Sequence, residues 1–278
     1  ASDPDADRVG AAVKNNEGEW VLLNGNQTAL MFVYYLITRW KELGKINGKE
    51  YIVKTIVTTE TIKTIAERNG VEMYDVYTGF KWIANVMREN EGKKNYIGGG
   101  EESYGFLCED FVRDKDAVSA CVILAEIAAW AKDQGLSLYQ LLQKIYVEYG
   151  FSKEKGISVV KKGKSGAEEI EAMMKKFREN PLTEIAGSKV TYFYDYSTLK
   201  GKDYAENETV TLDMPTTSNV LQYFTEDNTK VSIRPSGTEP KIKFYCEVHS
   251  KVKSIDELPE AEKAAEEKIN QIKASLGI

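Results

Sequence analysis

Three short segments carry side chains that could do chemistry. Asp3-Pro4-Asp5-Ala6-Asp7-Arg8 places three carboxylates at alternate positions. If that loop curls, they converge on one cation, and hard oxygen ligands suit magnesium, manganese or calcium. An EF-hand would need glycine at loop position six and glutamate at twelve, where Arg8 and Lys14 stand. Gly98-Gly99-Gly100-Glu101-Glu102-Ser103-Tyr104-Gly105 follows an apolar pair, so its backbone could approach a ligand closely. Its carboxylates and hydroxyl suit sugar hydroxyls, which both donate and accept hydrogen bonds. Arg234-Pro235-Ser236-Gly237-Thr238-Glu239-Pro240, with Lys243 beyond it, offers a guanidinium fork, two hydroxyls and a glycine between stiffening prolines. That set suits a phosphate. Each segment also has a plain structural reading: a solvated acidic turn, a flexible glycine loop and a proline-bounded hairpin.

Two smaller segments open helices. Thr78-Gly79-Phe80-Lys81 could favour an anion at a helix N-terminus. In Arg113-Asp114-Lys115-Asp116 the aspartates complement a helix dipole. Gly163-Lys164-Ser165 imitates the end of a P-loop, but Ser158 occupies the place of the first glycine. The single histidine, His249, lies beside Ser250 and Lys251 at a strand end and reads as exposed, so a Ser–His–Asp triad has nothing to draw on.

Composition narrows the setting. Net charge is −6 and the pI is near 5.2, which argues against nucleic acid or an anionic membrane as partner. Cys108, Cys121 and Cys246 are widely spaced with no CxxC pair, so neither a zinc site nor a disulfide framework is expected, and a reducing cytoplasm fits. The longest apolar stretch, residues 117–131, is broken by Ser119 and Glu126 and is too short for a membrane span.

The elements that must position these segments can be read from periodicity. Residues 8–24 read as a hairpin around Asn15-Asn16-Glu17-Gly18. Asn26 is the expected cap of a helix over 28–43. Strand 51–57, helix 61–69 and strand 71–77 make a βαβ unit with parallel pairing. A helix over 81–90, a short strand at 96–97 and helices over 114–132 and 137–149 follow. Residues 152–166, rich in Lys, Gly and Ser, read as a domain boundary. Beyond it a helix over 167–180, five short alternating strands and a final amphipathic helix over 260–276 suggest an antiparallel sheet. The expected fold is thus α/β plus α+β: a mixed βαβ sheet domain, then an antiparallel-sheet C-terminal domain.

Taken in order, these segments resemble the phosphoglucomutase and phosphomannomutase family, the α-D-phosphohexomutases. Asp3 to Arg8 resembles its metal loop, Gly100 to Gly105 its sugar-specificity loop, and Arg234 to Lys241 its phosphate loop. Thr78 to Lys81 and Arg113 to Ala117 match segments between them. The resemblance implies that Asp3, Asp5 and Asp7 bind Mg2+ and that Arg8 faces the transferred phosphate. It implies that Glu101 and Ser103 hold sugar hydroxyls, with Thr78 and Gly79 nearby, and that Lys115 is an acid or base. Arg234, Ser236, Gly237, Thr238 and Lys243 would grip the phosphate that is not reacting. Glu102 and Tyr104 fall where the family varies and receive no role.

The resemblance further implies four domains in the intact protein. Residues 1–25 would end the second, 26–150 form the third and 151–278 the fourth. The opening Ala1-Ser2-Asp3-Pro4 then reads as a chain cut within a larger protein. The family's nucleophile is a phosphoserine in a Ser-His-Asn-Pro loop, and no such run occurs here. The implied activity is an intramolecular phosphotransferase moving a phosphoryl group between C1 and C6 of a hexose phosphate, glucose preferred. Glucose 1,6-bisphosphate would be intermediate and activator, and the missing N-terminal domains would be partners, so this chain alone is expected to be inactive. A non-catalytic sugar-phosphate and metal-binding module, a phosphomannomutase and a phosphopentomutase remain as alternatives.

Overall fold

The computed structural model describes residues 1–161, 163–237 and 239–278, with the backbone alone for residue 164. The chain divides into two compact units. One is Ala1–Phe151 with Val252–Ile255, and the other is Ser152–Lys251 with Asp256–Ile278.

The first unit opens on an antiparallel pair, β1 (Ala12–Lys14) and β2 (Trp20–Leu22). Its turn is set by Asn15, whose side-chain oxygen accepts the N–H groups of Glu17 and Glu19, and by Gly18 at φ +83°. Helix α1 (Gly25–Glu42) begins with a reciprocal cap: Asn24 accepts from the Gln27 N–H, and the Gln27 side chain accepts from the Asn24 N–H. The cap is therefore Asn24, not Asn26. Asn26 lies inside the helix, and its Oδ1 accepts the Thr59 N–H at 3.0 Å.

Next come β3 (Glu50–Thr55), α2 (Thr61–Arg68), β4 (Glu72–Val76), α3 (Phe80–Asn90), β5 (Asn95–Gly100) and β6 (Phe106–Cys108). The strands form one sheet in the order β4-β3-β5-β6, with β3 parallel to both neighbours and β6 antiparallel to β5. β3 is buried along its whole length, as a central parallel strand must be. Phe80, Ile83 and Met87 of α3 pack onto Tyr51, Val53, Tyr96 and Leu107 of the sheet. Helices α4 (Ala117–Asp133), capped by Asp116, and α5 (Leu138–Tyr149), capped by Ser137, complete the unit.

The three glycines turn out to be strand residues. A Cβ on Gly98 would stand 3.1 Å from Leu36 of α1, one on Gly99 2.4 Å from the Val53 carbonyl oxygen, and one on Gly100 2.5 Å from the Phe106 ring. Their smallness lets α1, β3 and β6 close onto β5.

In the second unit, β7 (Phe151–Val160) and α6 (Gly163–Glu179) precede β8 (Glu184–Ile185), β9 (Ser188–Asp195), β10 (Lys200–Asp203), β11 (Glu208–Thr211), β12 (Leu221–Thr225), β13 (Lys230–Pro235) and β14 (Lys241–Ser250); α7 (Leu258–Leu276) ends the chain. The sheet order is β11-β10-β9-β12-β13-β14-β7, with β8 paired to β9. The stretch 152–166, read as a domain boundary, holds an edge strand as far as residue 160: β7 buries Phe151 and Ser152 and then runs half-exposed and exposed. His249 is likewise not exposed. Its side chain keeps 19% of its surface, and Nε2 lies 2.7 Å from Glu247 Oε1. The architecture is a mixed α/β sheet domain followed by an antiparallel-sheet domain.

Candidate active site

The acidic loop curls through a backbone device. Ala6 sits in the left-handed region at φ +56°, and its N–H donates to the Asp3 carbonyl at 3.1 Å. Asp3 Oδ1 accepts the N–H groups of Asp7 and Arg8, both at 3.1 Å. Carboxylate oxygens of Asp3, Asp5 and Asp7 consequently all lie within 4.8 Å of one another. Desolvation works against the Asp3 charge, but the N–H groups of Asp7 and Arg8 and the Arg8 guanidinium hold its carboxyl below the usual range. Among the described residues, Asp7 Oδ1 is buried without a hydrogen-bond partner. A buried orphan oxygen beside two further carboxylates fits a divalent cation, which would satisfy it. Arg8 follows with Nε 3.7 Å from that same oxygen and half its side chain in solvent.

Lys115 joins this loop to the next. Its Nζ lies 2.7 Å from Asp7 Oδ2 and 3.6 Å from Asp114 Oδ1. Burial opposes its charge, yet the hydrogen bond to Asp7 and the charges of Asp114, Asp7 and Glu101 outweigh burial and raise its pKa. Its stem crosses Gly105, where a Cβ would meet Lys115 Cδ at 2.7 Å. The signal for Gly105 was in the sequence, as a glycine closing the turn, but the side chain needing that space was not.

The turn 101–105 is closed by the Glu101 N–H donating to the Gly105 carbonyl at 2.9 Å, with Tyr104 at φ +74°. The Tyr104 carbonyl accepts from the Val9 N–H at 3.1 Å, which ties the turn to the strand leaving the acidic loop. Glu101 is buried, and its Oε1 accepts the Gly79 N–H at 2.8 Å. Gly79, at φ +111°, is the cap residue before α3, so the start of this helix stands against the turn, with Thr78 one residue before it. Ser103 is half-buried, and its hydroxyl makes no hydrogen bond among the described residues. Glu102 reaches back to accept from Thr55 Oγ1 at 3.2 Å, a contact the sequence did not reveal. Acidic loop, Lys115, Gly79 and Glu101 therefore form one polar cluster at the C-terminal end of β3 and β5, the end at which open α/β sheets bind ligands.

The phosphate-type loop joins β13 to β14 in the second unit. Arg234 and Lys243 are cross-strand partners, both half-buried. Neither side chain makes a hydrogen bond or salt bridge to any described residue. The Ser236 N–H donates to the Lys241 carbonyl at 2.7 Å, and Ser236 Oγ accepts the Glu239 N–H at 3.3 Å. Lys241 pairs with Glu239 at 2.6 Å. Gly237 has open space around its Cβ position and needs no left-handed backbone. Thr238, also expected here, lies outside the described residues.

Known proteins share this plan. The family described as phosphoglucomutase/phosphomannomutase, alpha/beta/alpha domain III, matches residues 24–149, and the C-terminal domain of the same family matches residues 158–265. "Phosphoglucomutase" of Staphylococcus aureus is 38% identical over 245 residues, 88% of this chain and 43% of that protein. Its counterpart in Staphylococcus haemolyticus is 34% identical over 249 residues, covering 90% and 44%. The chain thus spans under half the length of these curated relatives. Among solved structures, exocytosis-sensitive phosphoprotein pp63/parafusin of Paramecium superposes with a TM-score of 0.58 at 18% identity, over 91% of this chain and 40% of that one, a likeness of fold alone. Among the described residues no helix is long and apolar enough to cross a membrane. With both of its domain matches lying in one family, the chain belongs to the phosphoglucomutase/phosphomannomutase family and carries its domain III and C-terminal domain.

Proposed function

We propose that this chain supplies the sugar-binding, metal-binding and distal-phosphate-binding parts of a phosphohexomutase that moves a phosphoryl group between C1 and C6 of glucose phosphate. The observation that carries this reading is Lys115. Its side chain runs across the 101–105 turn to Asp7 and so brings an acidic loop and a sugar-type turn to one place. The names of the staphylococcal relatives favour glucose as the sugar.

In this reading Glu101 and Ser103 bind the sugar hydroxyl edge, and Gly79 fixes Glu101. Arg234, Ser236, Gly237, Thr238 and Lys243 hold the phosphate that is not reacting. Arg8 faces the transferred phosphoryl group. Lys115, kept protonated by Asp7, is poised to give a proton to a departing sugar oxygen. Asp3, Asp5 and Asp7 would hold Mg2+, which neutralises charge on the phosphoryl group in flight. A phosphoserine from outside this chain would exchange the phosphoryl group, with glucose 1,6-bisphosphate as intermediate, so the chain alone would not turn over. Solution in the cytoplasm fits such a substrate.

The test is a coupled assay of the chain joined to the part of the Staphylococcus aureus relative that it does not match. Glucose 1-phosphate should be converted to glucose 6-phosphate faster than mannose 1-phosphate is converted to its isomer. Equal rates would remove glucose as the preferred sugar, and no activity on either would contradict the mutase reading.

A further inference from the structure

The turn 101–105 carries two carboxylates, and only Glu101 has a role so far. We propose that Glu102 is a positioning residue that fastens this turn to the end of β3 and thereby sets the aim of Glu101 and Ser103 at the sugar. This rests on the sugar-binding reading of the turn and deepens it.

The geometry is specific. A five-residue turn closed by one backbone hydrogen bond, with Tyr104 in the left-handed region, has little of its own to hold it. Its outer side is fixed to the N-terminal segment through Tyr104 and Val9. Its inner side rests on the first residue of α1. The Glu102 carbonyl lies so close to Gly25 that a Cβ there would stand 2.0 Å from its oxygen. From that point the Glu102 side chain crosses to Thr55, the last residue of β3, and its Oε2 accepts the Thr55 hydroxyl. Thr55 is fully buried, and its Oγ1 also lies 2.8 Å from that of Thr58, itself fully buried. The anchor is therefore a rigid part of the fold. Glu101 instead accepts from the Gly79 N–H, and the Ser103 hydroxyl makes no hydrogen bond among the described residues. Removing the Glu102 side chain takes away this tie between the turn and the end of β3, while the Arg234 loop belongs to the other unit.

That separation gives the test. The unmodified 278-residue chain and its variants are titrated calorimetrically with glucose 6-phosphate and, separately, with inorganic phosphate. Glu102→Ala should weaken glucose 6-phosphate roughly fivefold, the loss of about one hydrogen bond, while inorganic phosphate changes less than about twofold. Glu102→Gln keeps an acceptor for Thr55 and should retain most of the affinity; Thr55→Val should reproduce the alanine loss in part. Phosphate binding doubles as the control for folding. An alanine variant equal to wild type, a parallel loss for both ligands, or a glutamine variant as damaged as alanine would each overturn the positioning role, the last pointing to direct contact by the charge. If the unmodified chain binds glucose 6-phosphate no better than phosphate, the sugar-site reading itself falls, and this proposal falls with it.

Discussion

Two cations set face to face on neighbouring strands repel each other, and the cost is tolerated only where something negative comes between them. Arg234 and Lys243 are such a pair; neither side chain forms an ion pair among the described residues, and only the more distant Glu239 shares its field with Lys243. Asp7 shows the complementary pattern. One oxygen is tied to Lys115 and the other is buried with no hydrogen-bond donor among the described residues. Each group is unsatisfied in the sense that a phosphate or a divalent cation would relieve. Arg234→Ala should therefore weaken glucose 6-phosphate binding by about 1.5–3 kcal/mol, the range for a charged hydrogen bond. Its melting temperature should stay level or rise, because the repulsion with Lys243 is gone. Calorimetry and thermal unfolding of the same variant check both, and unchanged affinity would refute the phosphate role. The residue types in these loops were legible from the sequence. Their relief of one another was not, because it depends on Ala6 turning left-handed and on Lys115 crossing Gly105, and neither leaves a trace in residue spacing.

At the scale of elements, the strands of the second unit are joined by buried charge. Lys230 of β13 and Glu247 of β14 are register partners, both nearly without exposure, with Nζ 2.9 Å from Oε2. His249 completes the group from the other side of Glu247, and Glu154 on β7 adds its field. Desolvation opposes the charged imidazole and Lys230 repels it. Glu247, by charge and hydrogen bond, and Glu154 prevail, so the His249 pKa is raised above 6.5. A group whose folded pKa is raised contributes stability that is fully present below its unfolded value and is lost as pH rises through the folded one. Glu247 is the opposite case: burial disfavours its charge, Lys230 and His249 restore it, and with its pKa lowered the stability it contributes is present above 4.5 and is lost as pH falls below that value. The margin of wild type over His249→Gln should thus shrink as pH rises above 6.5, measured by urea unfolding at a series of pH values. A margin constant across that range would contradict the assignment. The sequence placed His249 at a strand end but could not see this group. β7, which brings Glu154, is an edge strand whose alternating polar residues imitate a linker. The same limit applied at α1. The Asn24/Gln27 spacing of a capping box was present, but a second asparagine two residues on competed with it, and only the burial of Asn26 under Thr59 decides between them.

For the whole molecule, the order of elements and the change from a parallel-centred to an antiparallel sheet could be read from β-branched runs, helical periodicity and turn residues. Those depend on local chemistry, which a sequence displays. Short partners such as β6 and β10 escaped because three or four residues carry no period, and they exist through pairing alone. The central proposal is that the acidic loop and the 101–105 turn bind the sugar side of a hexose phosphate and that the Arg234 loop binds a phosphate of it. The most direct measurement is calorimetric titration of the 278-residue chain with glucose 6-phosphate in the presence of Mg2+, repeated with Glu101→Ala and with Arg234→Ala. Saturable binding tighter than that of inorganic phosphate, weakened by each substitution although the two residues lie in different units, is the predicted result. Binding no tighter than that of inorganic phosphate, or binding indifferent to either substitution, would contradict it.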